Sequence, residues 1–359
     1  MSVATVFYRS RRTITGRLPL LAPIVIIGLL ALTGTVYPDS RSASSPPSGS
    51  LPVTSRIVCL CPALTQMIRD LGLTDSIIAV GAFDPVAPPA AAVVGDLYQI
   101  DYEKLLALAP THVIVQAVRQ PVPPRLNELA AAHRFRVTAW PIESATDVLH
   151  ILRGTPQMSS LGQVLGRPAE SAALADRIEQ QLAAIAAITV TDNRIPRPRT
   201  LLVVGTSPLT AAGPGTLLHD MLQIAGGTNA LPQAAILYPV LDRERLLALR
   251  PDVIIVVTSD GTRSAAEQEQ RLNLPASLRP RILHVVDPAA LLPSSTMPRI
   301  AAAIARQLHP ALSDQLDAIE RSPAHDQQDA KRGGQQDAKR GGSQDVKSAA
   351  GHDAERTSP

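Results

Sequence analysis

The chain has 359 residues, with 34 Lys and Arg against 31 Asp and Glu for a formal net charge of +3; it is 45% hydrophobic and only 3% aromatic. The first 50 residues hold five arginines and one aspartate, so the remainder, with 29 basic and 30 acidic residues, has no positive excess. Without a basic face or interleaved aromatics, nucleic acid is excluded as a partner, and the length leaves room for about two domains plus end segments.

Residues 1–17 form a basic n-region with Arg9, Arg11, Arg12 and Arg17 and no acidic residue, followed by an uncharged apolar run at 18–36. As a helix that run would span about 28 Å, close to the roughly 30 Å hydrocarbon core of a bilayer. Arginines before it and none directly after it put the N-terminus inside and export the body. The body is expected on the periplasmic or extracytoplasmic face, anchored in the inner membrane by residues 18–36; cleavage of that run as a signal peptide remains open. Residues 37–52, rich in Ser, Pro and Gly, read as a flexible linker.

The next region, 53–142, reads as an N-terminal α/β lobe. Strands are expected at 56–60, 77–80, 112–116 and 136–139, with helices at 63–71, 102–108 and 125–133; alternation of this kind makes a parallel sheet covered on both faces. Residues 143–198 are helical, broken at Gly154 and Gly166, and their alanine-rich later part has the spacing of one packed helix. The C-terminal lobe, 199–320, opens with a strand at 201–204 and a glycine-rich loop at 205–215. Helices follow at 216–225, 265–272 and 298–308, with a strand at 282–286. From 321 to 359 an octapeptide, Gln327-Gln328-Asp329-Ala330-Lys331-Arg332-Gly333-Gly334, recurs with almost no large apolar residue. Such a tail buries too little to offset the entropy of ordering and reads as disordered.

One segment is written twice. Glu103-Lys104-Leu105-Leu106-Ala107-Leu108-Ala109-Pro110-Thr111-His112-Val113-Ile114-Val115 returns as Glu244-Arg245-Leu246-Leu247-Ala248-Leu249-Arg250-Pro251-Asp252-Val253-Ile254-Ile255-Val256. Each copy reads as a short helix opened by an acidic residue, stopped by proline and followed by a buried β-branched strand. A spacing this long is outside the solenoid range and implies two similar lobes with a cleft between them. The expected fold is therefore α/β: two lobes with parallel sheets flanked by helices, joined by one long interlobe helix.

Several motifs, in order, carry a resemblance. They are Arg56-Ile57-Val58-Cys59-Leu60-Cys61-Pro62-Ala63-Leu64-Thr65, Leu71-Gly72-Leu73, Ile78-Ala79-Val80-Gly81, Gly95-Asp96, Ala225-Gly226-Gly227-Thr228-Asn229, Tyr238-Pro239-Val240 and Pro298-Arg299-Ile300. Together they resemble the class III substrate-binding proteins of ABC importers, the group serving cobalamin, ferric siderophores and haem, over roughly residues 55–310. The resemblance implies a small-molecule ligand, a metal chelate or corrinoid, held between lobes that move little. It also implies a permease dimer whose arginines meet the glutamates at the heads of the repeat helices, here Glu103 and Glu244. Two carboxylates far apart on a rigid body can register it on a two-fold partner; each also suits its own helix N-terminus.

The ligand-contacting positions implied on the cleft loops are Cys61, Phe83, Tyr98, Val204, Tyr238 and Ser295. Past residue 50 the aromatics are Phe83, Tyr98, Tyr102, Phe135, Trp140 and Tyr238; three of the six on such loops suit a flat ligand that stacks, unless they pack on their own lobes. The chain departs from the cobalamin binders at Leu97, Gln116 and Tyr238, where tryptophans are frequent, and carries Gln66 in place of the first-turn glutamate. Cys59 and Cys61, one residue apart, are expected on one strand face with Cys61 beside the cleft, and read as small buried hydrophobes rather than metal ligands. The histidines show no zinc spacing: His219 reads as helix surface, and His284 is the one to consider for haem ligation.

No cofactor and no catalytic residue is expected. Gly213-Pro214-Gly215 is too short for a phosphate cradle, and Gly205-Thr206-Ser207-Pro208 is not a nucleophile elbow. A membrane-tethered receptor that reports its ligand without transport stays as the alternative, with an α/β enzyme behind it.

Overall fold

The computed structural model describes residues 55–116, 121–191, 195–232 and 236–321. The n-region, the apolar run 18–36, the linker and the octapeptide tail lie outside the described residues. Among those described, no helix is long and apolar enough to cross a membrane.

The first sheet contains β1 (Ile57–Cys59), β2 (Ile77–Val80), β3 (Ala92–Val93), β4 (His112–Gln116) and β5 (Arg136–Trp140). All pairings are parallel, in the order β3-β2-β1-β4-β5. Strands buried on both faces need continuous apolar runs, and Ile57-Val58-Cys59 and Val113-Ile114-Val115 are wholly buried. The crossover helices are α1 (Pro62–Asp70), α2 (Tyr102–Ala107) and α3 (Pro124–His133). Proline opens α1 and α3, where its missing N–H costs nothing. The strand expected at 56–60 stops at Cys59, so Cys61 is the residue before α1 and not part of a strand.

Three helices follow. Ser144 and Ser160 cap α4 (Ala145–Arg153) and α5 (Leu161–Leu165) with reciprocal capping boxes, and Gly154 and Gly166 end them. The third, α6 (Pro168–Thr189), buries Leu174, Ile178, Leu182 and Ile185, the three-and-four spacing of a single packed face. It packs against α4 and α5 on one side of the chain's midpoint and against α7 (Leu217–Ile224), α10 (Met297–Leu308) and α11 (Ser313–Glu320) on the other.

The second sheet contains β6 (Arg199–Thr206), β7 (Leu209–Ala211), β8 (Thr228–Asn229), β9 (Val253–Thr258) and β10 (Arg281–Val286). Its order is β10-β9-β6-β7, with β8 also on β6; β7 alone runs antiparallel. The glycine-rich loop expected at 205–215 thus contains a strand, too short for alternation to reveal. Helices α8 (Arg243–Leu249) and α9 (Ala265–Leu272) cover this half.

The duplicated segment builds the same unit twice, with one correction. The residues that open the helices are Asp101 and Asp242: their carboxylates accept from the N–H groups of Lys104 at 2.9 Å and Arg245 at 2.7 Å. Glu103 and Glu244 lie two positions further on, in the first turn. Each helix buries one leucine, Leu105 or Leu246, worth about 1.5–3 kcal/mol apiece. Behind each helix an arginine holds the last carbonyls: Arg56 Nη2 donates to Leu108 O at 2.7 Å, and Arg199 Nη2 to Leu249 O at 3.1 Å.

Candidate functional site

Where α1 meets α6 and the start of α10, a cavity of about 350 Å³ opens, lined among others by Gln66, Asp70, Arg177, Gln181, Ser295 and Arg299. That is within the size of small-molecule pockets. Asp70 is held from both sides, by Gln66 Nε2 at 3.0 Å and by Ser295 Oγ at 2.5 Å. Arg299 pairs with Asp287 at 2.6 Å. Of the expected cleft residues, Ser295 alone lines this cavity.

The three loop aromatics sit elsewhere and face solvent. Phe83 is 96% exposed, Tyr98 75% and Tyr238 44%, whereas Trp140 and Phe135 are buried. Packing on their own lobe therefore does not account for Phe83 or Tyr98. Phe83 also has φ 61°, a left-handed backbone that costs a bulky residue roughly 1–2 kcal/mol.

Each aromatic rides on a loop fixed by named contacts. Asp84 Oδ1 accepts from Val86 N at 2.9 Å, and Arg69 Nη1 of α1 donates to Val86 O at 2.9 Å, stapling the Phe83 loop to α1. Burial pushes the Asp84 carboxyl up, opposed by its hydrogen bonds and by nearby Arg69. Asp96 Oδ1 accepts from both Tyr98 N and Gln99 N at 2.8 Å, and Gly95, φ 87°, presses against Gln99 O where a Cβ would collide. Ala82 N donates to Gly95 O at 2.6 Å, so the Phe83 and Tyr98 loops are neighbours. The segment bearing Tyr238 runs beside β7 through Ala211 N to Pro239 O at 3.1 Å and Leu241 N to Leu209 O at 2.8 Å.

Cys61 is buried with its thiol 3.6 Å from Gln116 Oε1, and Cys59 Sγ donates to Cys61 O at 3.3 Å. Burial pushes the Cys61 thiol up to about 11 and Cys59 higher still, as expected of packing thiols. Among the described residues no group of three or more His, Cys, Asp or Glu could hold a metal ion. Val204, with Thr258 and Arg263, lines a small hollow of about 70 Å³ at the ends of β6 and β9. His284 contacts Gln268 through Nδ1 and Glu269 through Nε2, so both ring nitrogens are engaged. His219 is half-buried between Gln223 at 2.9 Å and Asn229 at 3.3 Å, not a plain surface residue.

Glu103 and Glu244 are both exposed and line neither hollow. A further seam joins the two halves: Leu217 N donates to Glu143 O at 3.2 Å and Ala145 N to Asp220 Oδ2 at 3.2 Å. Sequence reading named Asp96 only within the Gly95-Asp96 motif and missed Asp70, Asp84 and Asp220. For Asp84 a signal existed, an Asx residue beside an aromatic in a loop; for Asp70 and Asp220 none did.

The sequence matches the family model described as Periplasmic binding protein over residues 57–273. The vitamin B12-binding protein of Yersinia pseudotuberculosis serotype O:3 (strain YPIII) is 28% identical over 231 residues, covering 63% of this chain and 77% of that protein. Among solved structures, the apo periplasmic heme-binding protein RhuT from Roseiflexus sp. RS-1 is 25% identical with TM-score 0.56, covering 73% of this chain and 99% of that one. A periplasmic heme-binding protein from Pseudomonas aeruginosa is 25% identical with TM-score 0.57, covering 72% and 93%. The periplasmic vitamin B12-binding protein BtuF of Vibrio cholerae, at 19% identity and TM-score 0.52 over 75% of this chain and 98% of that one, shares the fold.

Proposed function

We propose that this chain, which belongs to the periplasmic binding protein family, captures a metal chelate or corrinoid (cobalamin, haem or a ferric siderophore) between its two lobes and delivers it to the permease dimer of an ABC importer. The observation that carries the reading is the set of solvent-facing aromatics on strand-end loops, Phe83 and Tyr98 in one half and Tyr238 in the other. A large apolar ring held outward in a strained backbone suits a flat partner that stacks on it. The names of the relatives, vitamin B12-binding and heme-binding, support the ligand class. Of the remaining expected contacts, Cys61 and Val204 are proposed as walls behind the aromatics; Ser295 lines the separate cavity at the end of α1, bonded to Asp70.

Glu103 and Glu244 are the proposed permease contacts, being exposed at the heads of two like helices. Residues 18–36 are proposed as the membrane anchor of a body working outside the cytoplasm. ATP hydrolysis belongs to other subunits, and the chain's own work is binding.

Thermal unfolding of residues 55–321 with cyanocobalamin, haemin and a ferric hydroxamate tests this. A ligand at 100 times its Kd stabilises the folded state by about 2.7 kcal/mol, a shift of several degrees for one of the three. No shift with any of them overturns the reading.

A further inference from the structure

We propose that Asp84 is the positioning residue that presents Phe83 to the ligand. The inference deepens the binding reading above by naming what holds its most exposed aromatic in place. Phe83 and Asp84 are adjacent, and their side chains go opposite ways: Phe83 is 96% exposed while Asp84 turns into the loop. Nothing packs on the Phe83 ring to keep it out, so its orientation comes from the backbone, φ 61°. The backbone is fixed on the C-terminal side by Asp84 Oδ1 accepting from Val86 N at 2.9 Å, an Asx turn that sets the peptide planes following Phe83. It is fixed on the N-terminal side by Ala82 N donating to Gly95 O at 2.6 Å.

Arg69 completes the arrangement from α1. Its Nη1 holds Val86 O at 2.9 Å, so one residue, Val86, is gripped through both its N–H and its C=O. Beside the Val86 N–H, the Thr65 side chain and the Arg69 charge also act on the Asp84 carboxyl, so it is held on the inner side of the loop while Phe83 points out. The left-handed backbone at Phe83 costs stability, and no burial of the ring offsets that cost. A loop that holds a bulky ring outward on a strained backbone is arranged for presentation and not for stability.

The test separates presentation from binding. Trp140 is fully buried, so in a Phe83→Trp variant the acrylamide-quenchable emission comes from position 83. Adding Asp84→Ala is expected to lower the fluorescence anisotropy of that quenchable component, as the ring is no longer held in one orientation, while adding Asp84→Asn, which keeps an acceptor for Val86 N, retains it. Unchanged anisotropy of that component in Asp84→Ala overturns the proposal whether or not any ligand binds. For whichever of cyanocobalamin or haemin the wild type binds, Asp84→Ala is expected to weaken affinity up to about tenfold, the scale of one aromatic contact. That loss should vanish in a Phe83→Ala background; an equal loss in both backgrounds shows that Asp84 does not act through Phe83 and overturns it.

Discussion

Ser295 Oγ donates to Asp70 Oδ2 at 2.5 Å across 225 residues of sequence. The bond ties the end of α1, in the first half of the fold, to the loop that enters α10 in the second. It closes one side of the cavity that also contacts α6. Ser295→Ala is therefore expected to destabilise the body by about 1 kcal/mol: a hydrogen bond to a charged acceptor is worth more, but Asp70 keeps Gln66 and the cavity admits water. A lower urea midpoint with an unchanged m-value is the predicted outcome.

The helix caps make a symmetric prediction. Asp101→Ala and Asp242→Ala each remove a side-chain acceptor from a helix N-terminus, at a cost of about 1 kcal/mol apiece. The sites lie in different halves, so the double variant should lose the sum. A marked departure from additivity in chemical denaturation would mean that the two repeat units are coupled.

Much of this organisation is legible along the chain because its signals are local. A proline after Leu108-Ala109 and after Leu249-Arg250 marks two helix ends, and the β-branched runs beyond them mark two central strands. The aromatics expected on loops do face solvent, because a ring between strand and helix signals has little core within reach. What escapes is of two kinds. Asp101 and Asp242 escape because a helix start is uncertain by a residue or two, and Glu103 and Glu244 sit just inside it. Asp70 with Ser295, and Asp220 with Ala145, escape because pairings between distant segments leave no periodicity.

The Asp220 seam predicts a pH dependence. Burial, with the neighbouring Asp147 charge, pushes the Asp220 carboxyl from 3.8 up to about 6, against one hydrogen bond from Ala145 N. The folded state then holds a proton that the unfolded chain has released. The Asp220 contribution to stability is greatest below about pH 4 and falls by roughly 3 kcal/mol as pH rises to about 6, after which it stays flat. Asp220→Asn should remove that fall, so the difference in unfolding free energy between variant and wild type should grow from pH 4 to pH 6. A constant difference would show that Asp220 is not perturbed.

The buried thiols predict inertness. Thiolate is the reactive form, and burial holds both Cys59 and Cys61 protonated at neutral pH. Neither should react with Ellman's reagent at pH 8 in the native protein, and two equivalents should appear in urea. Rapid native labelling of either would show that its thiol is accessible and not packed in the core.

The two exposed glutamates give the sharpest functional prediction. In the first turn a carboxylate favours its helix by about 0.3–1 kcal/mol, so Glu103→Lys and Glu244→Lys should cost up to about 1 kcal/mol each and leave the fold intact. Both lie outside the cavity and the aromatic loops, so ligand affinity should not change. In the proposed docking both halves register on a two-fold permease at once, and a repulsive charge at one end leaves the other contact in place. Each single reversal should therefore slow uptake in reconstituted vesicles, and the double reversal should abolish it. Weakened ligand affinity in the double variant would refute docking, because it would place the glutamates at the binding site.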